Sequence, residues 1–124
     1  MIEGPLKGLR VLLVEDDFLL ALDMRMHFEQ AGAIVVGHAA SLSQALQFVA
    51  GGEPFDAAVV DLDLRGEAAY PVADALLARG VRFVFTTGYD QSVIPPRFGS
   101  VERFEKPVDL ARVGLAVAGP ERAT

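Results

Sequence analysis

The sequence contains no cysteine among its 124 residues. The chain therefore has no disulfide bond, no thiolate metal ligand and no cysteine nucleophile, and a reducing compartment is compatible with it. Long apolar runs are also missing. None approaches the roughly 20 residues that span a bilayer, and the N-terminus MIEGPLKGLR lacks the apolar core of a signal peptide. We expect a cytoplasmic protein without membrane contact.

Positive charge is scarce. Eleven Lys and Arg residues against 17 Asp and Glu residues give a formal net charge of −6. Proteins that bind the phosphate backbone usually carry a clustered Lys/Arg surface, so we expect no direct contact with nucleic acid. Internal repeats and low-complexity segments are absent, and the length fits one packed core. We expect a single domain over residues 1–124, with short flexible ends at about 1–7 and 119–124.

Short apolar segments rich in β-branched residues alternate with longer segments of helical periodicity. This alternation is typical of βαβ units around a parallel sheet. The predicted strands are residues 10–14, 34–38, 57–60, 81–85 and 101–105. The predicted helices are about residues 18–31, 41–50, 71–79 and 109–118. Residues 86–100 contain two adjacent prolines and little helical periodicity, so any further helix there should be short or loosely formed.

Acidic residues follow two of the predicted strands. Glu15 and Asp16 follow the first strand, and Asp61 follows the third. Parallel strands joined by right-handed crossovers bring their C-terminal ends to one edge of the sheet, where ligands bind in open α/β folds. Two unit charges about 5 Å apart repel by roughly 3 kcal/mol at an effective dielectric near 20, so a cation should lie among these carboxylates. Hard oxygen ligands suit Mg²⁺.

Two further residues belong to the same predicted edge. Lys106 follows the fifth strand and Thr87 follows the fourth. An anionic nucleophile, a divalent cation, a lysine and a hydroxyl together suit phosphoryl transfer onto a carboxylate. Each residue taken alone is also typical of a solvated turn or of a helix N-terminus. Their joint position at four strand ends favours the functional interpretation.

Four segments carry a family resemblance: VLLVEDD, VVDLDLRG, FTTGYD and EKPVD. In order and spacing they resemble the receiver domain of two-component response regulators over nearly the whole chain. The resemblance implies a flavodoxin-like, doubly wound α/β fold with a five-stranded parallel sheet in the order 2-1-3-4-5. It also implies a phosphorelay protein that catalyses only its own phosphorylation and dephosphorylation. The donor would be a sensor histidine kinase or a histidine phosphotransfer protein, and a downstream protein target would read the phosphorylated state.

The resemblance assigns roles around the carboxylates by position. Asp61 matches the phosphoacceptor, which becomes an acyl phosphate. Glu15 and Asp16 match the acidic pair, so that Asp16 would bind Mg²⁺ directly and Glu15 through water. Asp63 would supply its backbone carbonyl to the metal. The predicted metal ligands are Glu15, Asp16, Asp61 and Asp63.

On the phosphoryl side, Thr87 would donate to one phosphoryl oxygen and Lys106 would pair with another. The bond from Lys106 to Pro107 is expected to be cis, as in the family. The position three residues before the lysine holds Arg103 instead of the usual aromatic residue. Phe104 should lie on the opposite face of that strand, so the usual switch between the threonine and an aromatic ring is not expected.

The segment after Gly88 departs from the common pattern. It is short and contains prolines, and with FTTGYD it resembles the FATGUY subgroup, whose fourth helix is reduced or mobile. Thr86 stands where that motif has alanine. We expect residues 89–99 to be poorly ordered without phosphate.

The first helix carries an apolar stripe separate from its predicted core face of Leu20, Met24 and Phe28. The stripe consists of Phe18, Leu19, Leu22 and Met26. It is either buried in the core or a docking surface for a helical partner, such as the phosphate donor that receivers meet with this helix. His27 and His38 show no metal-binding spacing, and we expect neither to bind metal.

Three other functions remain open. One alternative is a Mg²⁺-dependent phosphatase of the haloacid-dehalogenase type, in which Asp61 and Asp63 would form the Asp-x-Asp motif. A second is a Toprim-like nucleic-acid enzyme, which would use the same pair. A non-phosphorylated interaction module on the receiver fold is the third. The acidic cluster precedes the pair and an EKP turn follows it, which favours the receiver. Only AGPERAT remains after the last helix, so we expect a stand-alone receiver that is an adaptor or a phosphate sink.

Overall fold

A computed structural model describes residues 4–88 and 94–119 of the chain. Its strands are β1 (Arg10–Val14), β2 (Ile34–Ala39), β3 (Ala57–Asp61), β4 (Asp63–Leu64), β5 (Glu67–Ala68), β6 (Arg82–Thr87) and β7 (Arg103–Glu105). Five of them form a parallel sheet in the order β2-β1-β3-β6-β7. This order confirms the predicted flavodoxin-like fold and its 2-1-3-4-5 arrangement.

The helices are α1 (Phe18–Gln30), α2 (Leu42–Ala50), α3 (Tyr70–Arg79) and α4 (Leu110–Ala118). Three of them begin at a side chain that accepts hydrogen bonds from the first-turn N–H groups, as the local sequence favours. These N-terminal residues are Asp17, Ser41 and Asp109. α3 ends at Gly80, whose φ of 69° suits glycine. In the described ranges no helix is long and apolar enough to cross a membrane.

The sheet separates two apolar layers. Val60 and its neighbours on one face pack against α2 and α3, and Val59 and its neighbours on the other face pack against α1 and α4. Every residue of β3 is buried because this central strand is covered on both faces. Side chains along a strand alternate between the faces, so the face of any residue near the C-terminal edge follows from its position.

The N-terminal segment is packed on the domain from residue 4 onward. Leu6 is 1% exposed and joins the layer beneath α1 and α4. Its backbone N–H donates to Ala31 O at 3.0 Å. Leu6, which lies in the range 1–7 expected to be a flexible end, therefore contributes to the core.

A small antiparallel hairpin, which the sequence did not predict, follows β3. β4 and β5 pair through Leu64 and Glu67, with Arg65 and Gly66 between them. Both loop residues have positive φ, 55° for Arg65 and 86° for Gly66, as in the tight hairpin turns that match strand twist. The hairpin fixes the direction of the chain directly after the predicted phosphoacceptor.

Between β6 and β7 the described residues contain one turn of 3₁₀ helix, Pro96–Phe98, and no α-helix, in agreement with a reduced fourth helix. Phe98 is fully buried and its ring stacks on Tyr70 with centroids 5.5 Å apart. Arg97 Nε donates to Asp74 Oδ1 at 2.7 Å. Within the range expected to be poorly ordered, residues 89–93 lie outside the described residues.

Candidate functional site

Three carboxylates lie together at the C-terminal edge of the sheet. One oxygen each from Glu15, Asp16 and Asp61 lies within 4.8 Å of the other two. Glu15 is 1% and Asp61 3% exposed, while Asp16 is half-buried. Adjacent parallel strands bring these residues together, because β1 pairs directly with β3 and both end here. The predicted convergence of the three side chains is present.

Lys106 neutralises part of this cluster. Its Nζ donates to Asp61 Oδ2 at 2.8 Å and to Glu15 Oε2 at 3.2 Å, and it lies 3.1 Å from Glu15 Oε1. Burial alone would lower the pKa of Lys106, but the hydrogen bond and charge of Asp61, followed by those of Glu15, raise it above the usual 10.5. The ammonium therefore stays charged and holds the two carboxylates together.

Glu15 is the electrostatically strained member of the cluster. Burial raises the pKa of Glu15 to about 7, and the nearby charge of Asp61 adds to the rise. The N–H of Asp17, which donates to Glu15 Oε2 at 3.0 Å, and the Lys106 ammonium oppose it. Glu15 Oε1 accepts no hydrogen bond in the described part of the chain. A buried carboxylate oxygen in this position favours a cation.

Asp61 is held between the backbone and the lysine. Its Oδ1 accepts a hydrogen bond from Asp63 N at 3.1 Å, which leaves Oδ2 to Lys106. The Asp63 carboxylate accepts from Gly66 N at 2.8 Å and is exposed, so its side chain caps the hairpin turn. The described carboxylate cluster does not include it. A metal contact of Asp63 would come from its backbone carbonyl, and this role stays a prediction.

Thr87 is buried at the end of β6, the neighbour of β3. Its backbone carbonyl accepts from Lys106 N at 2.7 Å, which ties the end of β6 to the residue that bonds Asp61. The peptide bond from Lys106 to Pro107 is cis, as expected. The edge of the sheet thus carries Thr87 and Lys106 next to the carboxylates, and their contacts with a phosphoryl group stay predictions.

The donor set fits a hard divalent cation. Three carboxylates supply oxygen ligands within 4.8 Å of one another, and one buried oxygen, Glu15 Oε1, accepts no hydrogen bond from the described residues, although the Lys106 ammonium lies 3.1 Å away. Mg²⁺ is usually held by one or two carboxylates together with water and phosphate oxygens. Glu15, Asp16 and Asp61 are the residues that would hold it.

Sequence reasoning missed the role of His38 beside this cluster. His38 Nε2 lies 2.7 Å from the backbone carbonyl oxygen of Glu15, and the imidazole makes an edge contact with the Phe18 ring. The sequence feature that could have indicated this contact is the position of His38 near the end of β2, the strand that pairs with β1. His38 lies outside the carboxylate cluster and supports the backbone of Glu15.

Arg103, at the position where receivers usually carry an aromatic residue, is exposed on β7. Phe104 faces the other side, is half-buried against the layer beneath α4, and lies under the Arg112 guanidinium. The expectation that Phe104 does not replace the missing ring is consistent with this opposite orientation.

The apolar stripe on α1 is exposed, so the interpretation as core is wrong. The exposed fractions are 64% for Phe18, 76% for Leu19, 51% for Leu22 and 51% for Met26. Met24 and Phe28 of the predicted core face are buried together with Ala21, and Leu20 is half-buried. The stripe starts directly after the carboxylate cluster and borders a shallow cavity of about 320 Å³. An exposed apolar surface of this kind is typical of a protein-binding site.

No model of a protein family matches the chain, and no curated protein matches it. Among solved structures, the chain is similar to SdrG from Sphingomonas melonis Fr1. The identity is 35%, over 93% of this chain and 96% of SdrG, with a TM-score of 0.76. The BeF3-activated conformation of SdrG from Pseudomonas melonis Fr1 gives 32% identity over 90% of this chain and 91% of that one, with a TM-score of 0.66.

Two more distant structures share the fold. A response regulator receiver protein from Sinorhizobium medicae WSM419 is 23% identical over 90% of this chain and 92% of that one, with a TM-score of 0.76. The response regulator PhyR from Brucella abortus is 20% identical over 92% of this chain, with a TM-score of 0.74. The chain spans about half of PhyR, 48% of its length.

Proposed function

The chain belongs to the receiver-domain family of response regulators, and we propose that it accepts a phosphoryl group from a phosphohistidine onto Asp61 in a Mg²⁺-dependent reaction. One observation carries the proposal. Asp61 Oδ2, at the open edge of the sheet, lies 2.8 Å from the Lys106 ammonium and next to the carboxylates of Glu15 and Asp16. This is a carboxylate nucleophile with cationic support on one side and a cation-binding pair on the other.

In the proposed reaction an oxygen of the Asp61 carboxylate attacks the phosphorus of the phosphohistidine. The new P–O bond forms while the P–N bond breaks, and the electron pair of that bond returns to the imidazole of the donor. Lys106 pairs with a phosphoryl oxygen, and the Thr87 hydroxyl donates to another. Catalysis of phosphoryl transfer is mostly positioning and charge neutralisation, which these fixed groups are suited to supply.

Glu15, Asp16 and Asp61 would hold the Mg²⁺, with the backbone carbonyl of Asp63 as a further ligand. When bound, the cation supplies the positive charge that lets a negative phosphoryl group approach a negative carboxylate. The Lys106 ammonium contributes a single positive charge to the carboxylates at this edge, and the cation would add two more. The chain's own residues orient the nucleophile, because Asp63 N fixes Asp61 Oδ1 and leaves Oδ2 toward the lysine.

We further propose that the donor is a sensor histidine kinase or a histidine phosphotransfer protein, which docks on the α1 stripe in the cytoplasm. The stripe lies beside the site, and its apolar side chains suit the helical surface of such a donor. Output would pass through a protein that binds the phosphorylated form. SdrG, which is 32% identical to this chain, has a BeF3-activated conformation, and this supports an output that depends on an activated form of the domain.

The test is intact mass spectrometry after incubation with Mg²⁺ and acetyl phosphate. The native protein should gain one phosphoryl group, and Asp61→Asn should gain none. Asp63→Asn is the matched control: its carboxylate caps the hairpin outside the cluster, so this variant should be labelled like the native protein. Equal labelling of Asp61→Asn would refute the assignment. Hydrolysis of small phosphoesters by the native protein would favour the Asp-x-Asp phosphatase alternative instead.

A further inference from the structure

The Thr86 hydroxyl is a buried polar group without a hydrogen-bond partner in the described structure. Thr86 is 0% exposed, and its Oγ1 makes no hydrogen bond with any group in residues 4–88 and 94–119. Burying a hydroxyl without a partner costs free energy that a valine of nearly the same shape would not cost. Such a group in a folded protein calls for a specific explanation, and one explanation is a partner that becomes available in another state.

Thr86 lies on the same face of the sheet as the phosphoacceptor. The β3–β6 register pairs Asp61 with Thr86, and the β6–β7 register pairs Thr86 with Phe104. Val59, Val84 and Phe104 on this face all join the layer beneath α1 and α4.

The Lys106 side chain must pass over this part of β6. Lys106 follows β7, yet its Nζ bonds Asp61 at the end of β3, and β6 lies between these two strands. On the face that it crosses, β6 presents Thr86, and the next position on that face is Gly88, which has no side chain. By register, Thr86 is therefore the polar residue that β6 places between Asp61 of β3 and Phe104 of the strand before Lys106.

The Lys106 ammonium has three N–H donors and no acceptor. In the resting structure its acceptors are Asp61 Oδ2 and Glu15 Oε2, and Glu15 Oε1 lies 3.1 Å from Nζ as an ion-pair contact. On the proposed function, the Glu15 carboxylate turns to the metal side of the site and Lys106 turns to a phosphoryl oxygen. At least one N–H of the lysine is then released from Glu15 and can donate to an acceptor on the face of β6.

We propose that Thr86 is a positioning residue for Lys106: its Oγ1 accepts a hydrogen bond from the Lys106 ammonium when phosphorylation draws the lysine away from Glu15. The inference rests on the proposed function and deepens it. The hydroxyl acts through Lys106 and does not touch the phosphoryl group. It holds the ammonium over β6, within reach of the phosphorylated Asp61.

Two substitutions separate this role from simple packing. Thr86→Val keeps the shape and removes the hydroxyl, and Thr86→Ser keeps the hydroxyl. Thermal unfolding in EDTA should show a melting temperature about 3–6 °C higher for Thr86→Val, because the unpartnered group is gone. Its initial phosphorylation rate with Mg²⁺ and acetyl phosphate should fall about fivefold, the factor that one ordinary hydrogen bond contributes. Thr86→Ser should retain the native rate.

The outcomes are distinguishable. If Thr86→Val is phosphorylated at the native rate, or if Thr86→Ser is as slow as Thr86→Val, the positioning role is overturned while the proposed function stands. A lower melting temperature for Thr86→Val would show that the hydroxyl already has a partner at rest, which also overturns the role. If Thr86→Val does not fold, Thr86→Ala takes its place in the rate comparison. A native protein that gains no phosphoryl group refutes the proposed function and this role together.

Discussion

Replacing Glu15 with glutamine changes the pH dependence of stability in the metal-free protein. Glu15 is 1% exposed, and burial together with the charge of Asp61 raises its pKa from the usual 4.5 to about 7. The folded state therefore binds a proton at Glu15 more tightly than the unfolded state does. The stability that this group contributes is fully present below about pH 4.5 and is lost as the pH rises through about 7.

The magnitude follows from the size of this pKa rise. A change from 4.5 to about 7 corresponds to about 3 kcal/mol in the free energy of unfolding, most of it between about pH 5 and about pH 8. Glu15→Gln removes the titrating group and keeps the shape of the side chain. At about pH 8 in EDTA we expect Glu15→Gln to be more stable than the native protein, with the difference shrinking toward about pH 5.

The assay is urea unfolding of both proteins in EDTA across this pH range, with extrapolation to water. Groups that do not interact with Glu15 cancel in the difference between the two free energies of unfolding, so the difference reports Glu15 together with its interactions with Asp61 and Lys106. Adding Mg²⁺ at about pH 8 should stabilise the native protein more than Glu15→Gln, because a cation that binds the folded state offsets the buried charge. Parallel pH profiles for the two proteins in EDTA would refute the electrostatic reasoning.

Three further predictions concern the fold and the surface. Phe98→Ala should lower the free energy of unfolding, measured in urea, by about 3–5 kcal/mol, because the ring is fully buried. A decrease below about 1 kcal/mol would mean that the Pro96–Phe98 turn does not pack as described. The double variant Leu22→Asp/Met26→Asp should slow phosphotransfer from a histidine kinase and leave labelling by acetyl phosphate unchanged. Leu77→Asp is the control, because Leu77 is also exposed but lies on α3. Equal slowing by the control would contradict docking on α1. Arg65→Asn should raise the free energy of unfolding by about 0.5–1 kcal/mol, because asparagine tolerates the positive φ of this turn better than arginine, and no gain would indicate that Arg65 makes a compensating contact.

The sheet order and the carboxylate cluster were predictable because few physical rules determine them. Apolar strands alternate with helical segments, and parallel strands must end at one edge, so residues after β1 and β3 meet there. Glu15 and Asp61 are therefore neighbours in the structure although they are far apart in the chain. The contact of Lys106 with Asp61 depends in addition on the length of the lysine side chain, which spans the width of β6.

Other features depend on tertiary packing that no local pattern reports. The apolar residues of α1 occupy both sides of the helix, and periodicity alone did not reveal that Leu19 and Leu22 stay exposed. Burial of Leu6 depends on how the N-terminal segment meets α1 and α4. The β4–β5 hairpin has only two residues in each strand, too few for an alternating pattern to show.

The position of Thr86 illustrates the same limit. Its place between Asp61 and Phe104 follows from the strand register, and the lack of a hydrogen-bond partner follows from the packing around it. The sequence indicated only that a threonine stands where the similar motif has alanine. The register gave that difference its physical meaning, because it placed Thr86 on β6 between Asp61 of β3 and the strand that precedes Lys106.

The most direct measurement is chemical mapping of the phosphorylated residue. Borohydride reduces an acyl phosphate of aspartate to homoserine and leaves a free carboxylate unchanged, so peptide mass spectrometry after reduction identifies the acceptor. We predict homoserine at position 61 in the native protein treated with Mg²⁺ and acetyl phosphate, and none when Lys106 is replaced by methionine or when EDTA is present. Homoserine at position 16 or 63, or at no position, would contradict the assignment of Asp61.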